Sequence, residues 1–314
     1  MSTLARSAQD YLAMRRGVGY ALRQEGRLLA DFVGYCQRRG ITRVTTEAAL
    51  GWATQPSSAS PTWWATRLGV VRGFAAHLQT VEADTEVPPK GLLPRRASRT
   101  TPYLFSPTEI TALIAAARAL AHPLRAASFE TLIGLMAVTG LRTGEAMSLD
   151  RADVNLAEQM LTIWRSKLGK SRQVPLHETT TAALAAYAAR RDQLCPRPAT
   201  ASFFLSGGGT RLNHTNTSTT FAGLLEAAGI ATSPGRRRPR LYDLRHSFAV
   251  ANLINWHAEG ADVQARLPVL STWMGHVKPS STYWYLQAAP ELLAVTALRL
   301  ERYLGLKQYV EGQP

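Results

Sequence analysis

A basic, proline-rich break at residues 87–102 constrains the fold of this chain more than any other feature of its sequence. The stretch holds four prolines and Gly91, so neither a helix nor a strand is expected to continue through it. It also carries a cluster of basic residues, namely Lys90, Arg95, Arg96 and Arg99. We therefore predict a domain over 1–86, a linker over 87–105 that follows a phosphate backbone, and a second domain over 106–314 that ends in a C-terminal helix.

The segment before the break has the apolar spacing of a small helical domain. Apolar residues recur at helical intervals between Leu28 and Cys36, and Gly40 ends that pattern. A second helical pattern starts after Thr45 or Thr46, and a third runs from Trp63 to about Leu78. These patterns predict helices without strands.

The segment after the break mixes helices with a few short strands. Ser106 begins an N-terminal helix signal, with proline next and Glu109 three residues on, and alanine-rich helices follow. Strand patterns lie near residues 154–156, 160–164 and 172–176, and a turn with Lys167 and Lys170 joins the last two. The sequence therefore predicts a mainly α fold with a small β-sheet, in the α+β class.

The charge of the chain indicates a polyanionic partner. Lys and Arg number 36 against 22 Asp and Glu, which gives a formal net charge of +14. Nearly all of this charge is arginine, the residue that binds phosphate bidentately. Two cysteines exclude a disulfide scaffold, and no apolar stretch approaches the ~18 residues that span a bilayer. We expect a cytoplasmic, nucleoid-associated protein that does not enter membranes.

Three polar clusters interrupt the helical pattern of the second domain. Residues 139–145 read Thr-Gly-Leu-Arg-Thr-Gly-Glu, residues 240–249 read Arg-Leu-Tyr-Asp-Leu-Arg-His-Ser-Phe-Ala, and a Trp-Met-Gly-His run ends at His276. Taken singly, each has an ordinary structural explanation: an Arg–Glu pair at a helix junction, an amphipathic helix, and a helix end.

In their order and spacing, however, these clusters resemble the tyrosine recombinase (phage integrase) family. The first cluster is followed by a lysine in a β-turn before Arg-x-Val-Pro-Leu, then by the second cluster, then by Gly-His and a tyrosine nine residues later. The resemblance covers about residues 106–303. It implies a tyrosine recombinase catalytic domain, and the helices before the linker resemble the family's N-terminal core-binding domain.

The resemblance implies a specific chemistry and the residues that perform it. A tyrosine attacks the scissile phosphate, forms a 3′-phosphotyrosine and releases a 5′-hydroxyl, without a cofactor or metal. Side-chain cations then stabilise the charge of the transition state. The matching positions comprise the arginines Arg142 and Arg245, the nucleophile Tyr285, the general acid Lys167, the phosphate-binding His276, and Glu145 as a support for Arg142.

One position departs from the family pattern. Three residues before Arg245 the family usually has histidine, whereas this chain has Tyr242. A phenol donates a hydrogen bond to phosphate but is a poor proton acceptor at neutral pH. If histidine acts as a general base there, the duty passes to another group, for which His276 and water are candidates.

Two catalytic assignments have rivals nearby. Lys170 competes with Lys167, and Tyr283 competes with Tyr285; spacing favours Lys167 and Tyr285. Ten further basic residues are interpreted as DNA contacts: Lys90, Arg95, Arg96, Arg99, Lys170, Arg172, Arg236, Arg237, Arg238 and Arg240.

The expected function is site-specific recombination or integration of double-stranded DNA, in a mobile element among other settings. The resemblance implies a homotetramer on two DNA sites, or an assembly with related recombinases, with monomers off DNA. Two alternatives stay open: a catalytically impaired DNA-binding protein, suggested by Tyr242, and a type IB topoisomerase-like enzyme.

Overall fold

The computed structural model describes residues 3–94, 102–164, 171–231, 237–276, 282, 283 and 285. The chain separates into two compact units, Met1–Thr100 and Thr101–Pro314. Part of the predicted linker, the turn with Lys167 and Lys170, and the chain after Tyr285 lie outside the described residues. The roles assigned to the two domains remain predictions.

The first unit is helical throughout its described elements. These are α1 (Thr3–Gly17), α2 (Arg23–Arg38), α3 (Thr46–Ala53) and α4 (Pro61–Leu78). The hydroxyl groups of Thr45 and Ser60 cap α3 and α4 by accepting backbone N–H groups, as expected for such residues. The core packs Phe32 against Trp52, and the Arg67 guanidinium lies 3.8 Å from the centre of the Trp52 ring.

The second unit packs helices around a small antiparallel sheet. Its helices are α5 (Pro107–Arg118), α6 (Pro123–Thr139), α7 (Thr143–Ser148), α8 (Glu178–Leu194), α9 (His214–Ala227), α10 (Asp243–Ala258) and α11 (Val263–Trp273). Its strands are β1 (Val154–Asn155), β2 (Met160–Ile163) and β3 (Arg172–Pro175). The predicted mainly α fold with a small β-sheet is confirmed.

The sheet has the order β1-β2-β3, with both pairs antiparallel. Val154 pairs with Leu161, and Ile163 pairs with Arg172, so β3 begins directly opposite the end of β2. Alternate residues of β2 are buried, as expected for a strand with one face on the core. This register places the side chain of Arg172 at the edge of the sheet.

Helix α6 is the central element of the second unit. It contributes Leu132, Ile133 and Met136 to the core, and each of these side chains is fully buried. The helix ends at Gly140, whose φ of 62° belongs to the left-handed region that glycine adopts without strain. A Cβ at this position would lie 2.4 Å from the Phe248 ring, so the close packing of α10 on this turn also requires glycine.

None of the described helices is long and apolar enough to cross a membrane.

Candidate active site

The first polar cluster places Arg142 at the break between α6 and α7. Its backbone is extended, with φ −68° and ψ 143°, and its N–H donates to Glu145 Oε2 at 3.0 Å. Its Nη1 donates to Glu145 Oε1 at 2.5 Å, and its Nη2 donates to the Gly275 carbonyl at 2.7 Å. The side chain keeps 21% of its exposure. Arg142 is therefore fixed at two points while part of its guanidinium remains open.

Glu145 is the carboxylate that holds two guanidinium groups together. Besides Arg142, it receives Arg172 in a bidentate pair, with Nη1 donating to Oε1 at 3.1 Å and Nη2 donating to Oε2 at 2.8 Å. Burial by itself would raise the pKa of Glu145. The hydrogen bonds and charge of Arg172, followed by those of Arg142, outweigh burial and lower the pKa to about 2. Glu145 is thus ionised at neutral pH.

Arg245 lies on the first turn of α10 and has no exposed surface. Its Nη1 donates to the Gly140 carbonyl and its Nη2 to the Met274 carbonyl, each at 2.6 Å. Burial first, and then the charge of Arg142, lower the pKa of Arg245 from its ordinary value. A guanidinium remains charged under such conditions, so the site holds a concentrated positive potential.

Three successive carbonyl groups at the end of α11 anchor the three guanidinium groups. The Trp273 carbonyl accepts Arg172 Nε at 2.9 Å, and the next two carbonyls accept Arg245 and Arg142. A helix C-terminus leaves carbonyls without intrahelical partners and carries the negative end of the helix dipole. The chain turns through Gly275 at φ +63°, and a Cβ there would lie 2.7 Å from Arg172 Nη1. The end of α11 therefore serves as a backbone cradle for the cations.

Tyr285 is 2% exposed and lies between two histidines. Its hydroxyl is 3.1 Å from His246 Nδ1, and its ring stacks with that of His276 at a centroid distance of 6.2 Å. Burial raises the pKa of Tyr285 to about 12, although the charge and hydrogen bond of Arg245 act in the opposite direction. The phenol is therefore neutral at pH 7. Tyr283, by contrast, is 46% exposed.

His276 follows the carbonyl cradle. Its Nδ1 is 2.7 Å from Thr282 Oγ1, so the ring is held at one nitrogen. Burial, followed by the charges of Arg245 and Arg142, lowers the pKa of His276 to about 3. The imidazole is consequently neutral at pH 7.

Tyr242 immediately precedes α10 and packs edge-on against His246, with ring centroids 5.1 Å apart. It lines a cleft of about 1200 Å³, together with Arg142, Arg238 and Arg240. The second unit thus brings Tyr242 to the same cleft as the arginine of the first cluster.

The predicted DNA-contacting residues fall into three groups. Lys90, Arg237, Arg238 and Arg240 are exposed. The side chain of Arg172 is only 11% exposed, and it pairs with Glu145. The sequence did not indicate this supporting contact. That Arg172 also contacts DNA stays a prediction. The others lie outside the described residues: Arg95, Arg96, Arg99, Lys170 and Arg236, as does the proposed general acid Lys167.

Sequence reasoning also missed His246. The only signal for it was its place one residue after Arg245, which puts it on the first turn of α10 beside the cleft. Among the described residues, no cluster of three or more His, Cys, Asp or Glu side chains is arranged to hold a metal ion.

Comparisons with known proteins agree with this arrangement. The model of the phage integrase family matches residues 104–292. The chain is 42% identical over 308 residues to a putative integrase/recombinase, y4rB, of Sinorhizobium fredii, covering 96% of this chain and 98% of that protein. It is 32% identical over 240 residues to the tyrosine recombinase XerD of Caulobacter vibrioides, covering 75% and 73%.

The fold is also similar to that of a solved structure. The Tn1549 transposon integrase, in complex with a circular intermediate DNA, superposes with a TM-score of 0.64 at 14% identity, covering 91% of this chain and 95% of that chain. The fold, the order of the motifs and the sequence relatives all indicate the same family. The chain belongs to the phage integrase family of tyrosine recombinases, enzymes of site-specific DNA recombination.

Proposed function

We propose that this recombinase cleaves and rejoins DNA strands through a 3′-phosphotyrosine formed on Tyr285. The observation that carries the proposal is the buried Tyr285 hydroxyl beside Arg245, whose guanidinium shares one backbone cradle with Arg142. A phosphodiester under attack gathers negative charge on its non-bridging oxygens. Fixed guanidinium groups stabilise that charge without reorganising during the reaction.

Arg142 and Arg245 are proposed to bind the scissile phosphate. Each guanidinium carries five N–H groups, and the contacts above use only part of them. Arg142 lines the open cleft, so its remaining N–H groups can reach a phosphate from that side. Arg172 and Glu145 support the pair from behind and act as positioning residues.

Three further residues complete the proposed reaction. Lys167 protonates the leaving 5′-oxygen, with Lys170 as its rival for that role. His276, neutral because of its lowered pKa, donates a hydrogen bond to a phosphate oxygen. Tyr242 fills the place of the family's usual histidine and offers its phenol hydrogen to the phosphate.

The proposed substrate is double-stranded DNA. The net charge of +14 and the exposed Arg238 and Arg240 on the cleft suit a phosphate backbone. Structures of similar fold, including the XerH recombinase and the Tn1549 integrase, contain DNA. We propose that four copies assemble on two DNA sites, with residues 1–86 contacting DNA as a core-binding domain, and that monomers occur off DNA.

The experiment is a covalent-capture assay with nicked duplexes that together span the DNA on both sides of the gene. A nick close to the cleavage point lets the short product leave, so that a protein–DNA adduct accumulates. The wild-type protein is expected to form the adduct, and peptide mapping should place the phosphate on Tyr285. Tyr285→Phe is expected to form none.

Tyr283→Phe is the matched control, because Tyr283 is exposed and lies two residues away. It is expected to retain the adduct. An adduct that survives in Tyr285→Phe, or disappears only in Tyr283→Phe, would overturn the assignment of the nucleophile. Absence of an adduct on every flanking duplex would favour the DNA-binding alternative, and supercoil relaxation without strand exchange would favour the topoisomerase-like one.

A further inference from the structure

We propose that His246 is the catalytic residue that accepts the phenolic proton of Tyr285, a role that rests on the phosphotyrosine chemistry proposed above. Its Nδ1 lies 3.1 Å from the Tyr285 hydroxyl oxygen. This distance is within the reach of about 2.6–3.2 Å that proton transfer requires. The side chain is 13% exposed, so bulk water competes little for that nitrogen.

The neighbouring candidates are less suited to the same step. Tyr242 occupies the position of the usual histidine, but a neutral phenol is a poor proton acceptor. His276 directs its Nδ1 at Thr282 Oγ1 and stacks on the face of Tyr285, rather than meeting the hydroxyl group with that nitrogen. The geometry therefore favours His246, four residues after position 242, as the group that accepts the phenolic proton.

The carboxylate of Asp243 is placed to orient the His246 imidazole and to stabilise it when it becomes protonated. Asp243 and His246 are three residues apart on α10, and their Oδ1 and Nε2 atoms are 3.9 Å apart. An imidazole that accepts at Nδ1 must carry its hydrogen on Nε2, which is the nitrogen that faces this carboxylate. When His246 gains the phenolic proton, the imidazolium forms beside a carboxylate. His246 then has the nucleophile 3.1 Å from one ring nitrogen and a carboxylate oxygen 3.9 Å from the other, the combination of groups that activates hydroxyl nucleophiles elsewhere.

The Asp243 carboxylate is fixed and has capacity for this contact. It is 1% exposed, and its Oδ2 accepts the Arg240 backbone N–H at 2.7 Å. In the described part of the chain its buried Oδ1 has no hydrogen-bond partner; Arg240 Nη2 lies 3.8 Å and the neutral His246 ring 3.9 Å from this oxygen, while Arg237 Nη2 lies 3.5 Å from Oδ2. A buried acceptor without a hydrogen bond is costly, so a charged His246 improves its environment.

The proposed step balances as follows. The Tyr285 oxygen forms a bond to phosphorus while the bond from phosphorus to the 5′-oxygen breaks. The phenolic proton passes to His246 Nδ1, and the leaving 5′-oxygen takes a proton from Lys167. In the rejoining step the protons return: His246 gives its proton to the departing phenolate, and Lys167 recovers one from the attacking 5′-hydroxyl.

The first test is single-turnover cleavage of the nicked duplex by His246→Gln. A general base contributes about 10²–10⁴-fold, so cleavage is expected to slow by that factor while DNA affinity and the circular dichroism spectrum stay those of the wild type. His257→Gln is the control: it changes a histidine on the last turn of α10, about 16 Å along the helix, and is expected to cleave normally. Cleavage by His246→Gln within about threefold of wild type would overturn the proposal.

A second test separates proton transfer from a merely structural role. Replacing Tyr285 by 3,5-difluorotyrosine gives a more acidic phenol that depends less on a base. The rate ratio between wild type and His246→Gln is expected to shrink by roughly tenfold or more with this nucleophile. An unchanged ratio would show that His246 only supports the structure, and would overturn the proposal. The same comparison with His246→Asn applies if the glutamine variant unfolds.

The same assays distinguish the two proposals. If the wild-type protein forms no adduct on Tyr285, the proposed function fails and this inference fails with it. If the wild type forms the adduct and His246→Gln forms it equally fast, only the assignment of His246 is wrong.

Discussion

Replacing Glu145 by glutamine removes the one carboxylate that holds Arg142 and Arg172 together. The side chain is 8% exposed and accepts hydrogen bonds from both guanidinium groups and from the Arg142 backbone N–H. A carboxyl group whose pKa falls from 4.5 to about 2 gains about 3 kcal/mol from its charged partners. Glu145→Gln keeps the shape of the side chain and loses that charge. We expect the free energy of unfolding to fall by about 3 kcal/mol at pH 7.

The pH dependence of this loss follows from the direction of the pKa change. Because the folded protein holds the pKa of Glu145 below its unfolded value, the stabilisation is complete above pH 4.5 and disappears as the pH falls towards 2. Urea unfolding followed by far-ultraviolet circular dichroism at pH 7, 4 and 3 measures this directly. The difference between wild type and Glu145→Gln should be constant down to about pH 4.5 and shrink below it.

Glu130→Gln is the control for this measurement. Glu130 pairs with Arg118, whose side chain is 64% exposed, and a surface pair of this kind contributes about 1 kcal/mol or less. A loss below about 1 kcal/mol in Glu145→Gln, or one as large at pH 3 as at pH 7, would refute the reasoning. Cleavage by the variant should also fall, because Arg142 loses one of its two anchors.

Three further predictions concern the same site. Arg142→Ala is expected to abolish adduct formation while DNA affinity, measured by gel shift, stays close to wild type. DNA binding loses one of many phosphate contacts, whereas the transition state loses a central one. A parallel loss of affinity would argue against a catalytic role. Gly275→Ala is expected to lose about 1–2 kcal/mol in urea unfolding and to slow cleavage, because its φ is +63° and its Cβ would lie 2.7 Å from Arg172 Nη1; unchanged stability would contradict this. His276→Gln should reduce the acid sensitivity of the fold. Because the folded protein resists protonation of this imidazole, the free energy of unfolding of the wild type is expected to fall by about 2 kcal/mol between pH 6.5 and 5. Equal slopes of unfolding free energy against pH in the two proteins would count against the lowered pKa.

The sequence predicted the elements of the second unit because their signals are local. The capping box that begins with Ser106 is present, with Glu109 Oε2 accepting the Ser106 N–H at 2.8 Å, and the three strands occupy the predicted stretches. Such signals act over a few residues along the chain. The order of the motifs then indicated the family, and the family indicated Arg142 and Arg245.

The support of those arginines was not predictable in the same way, because it depends on long-range contacts with the backbone. Arg172 was predicted to contact DNA because it is basic. It instead donates hydrogen bonds to Glu145 and to the Trp273 carbonyl, which are 27 and 101 residues away along the chain. Nothing in the sequence marks a carbonyl as an acceptor. Only the glycine at position 275 indicated that the backbone turns sharply there, and that signal does not identify what the turn holds.

The contacts that hold the arginines bear on the departure from the family pattern at position 242. The cations are held by the backbone of Trp273, Met274 and Gly275 and by Glu145, so no side chain at position 242 is needed to place them. A tyrosine there is a poor proton acceptor at neutral pH. His246 lies on the first turn of α10, four residues after Tyr242, and its Nδ1 is 3.1 Å from the Tyr285 hydroxyl oxygen. Under the proposed mechanism, a chain with this arrangement lacks the usual histidine at position 242 but keeps the charge stabilisation that its guanidinium groups supply.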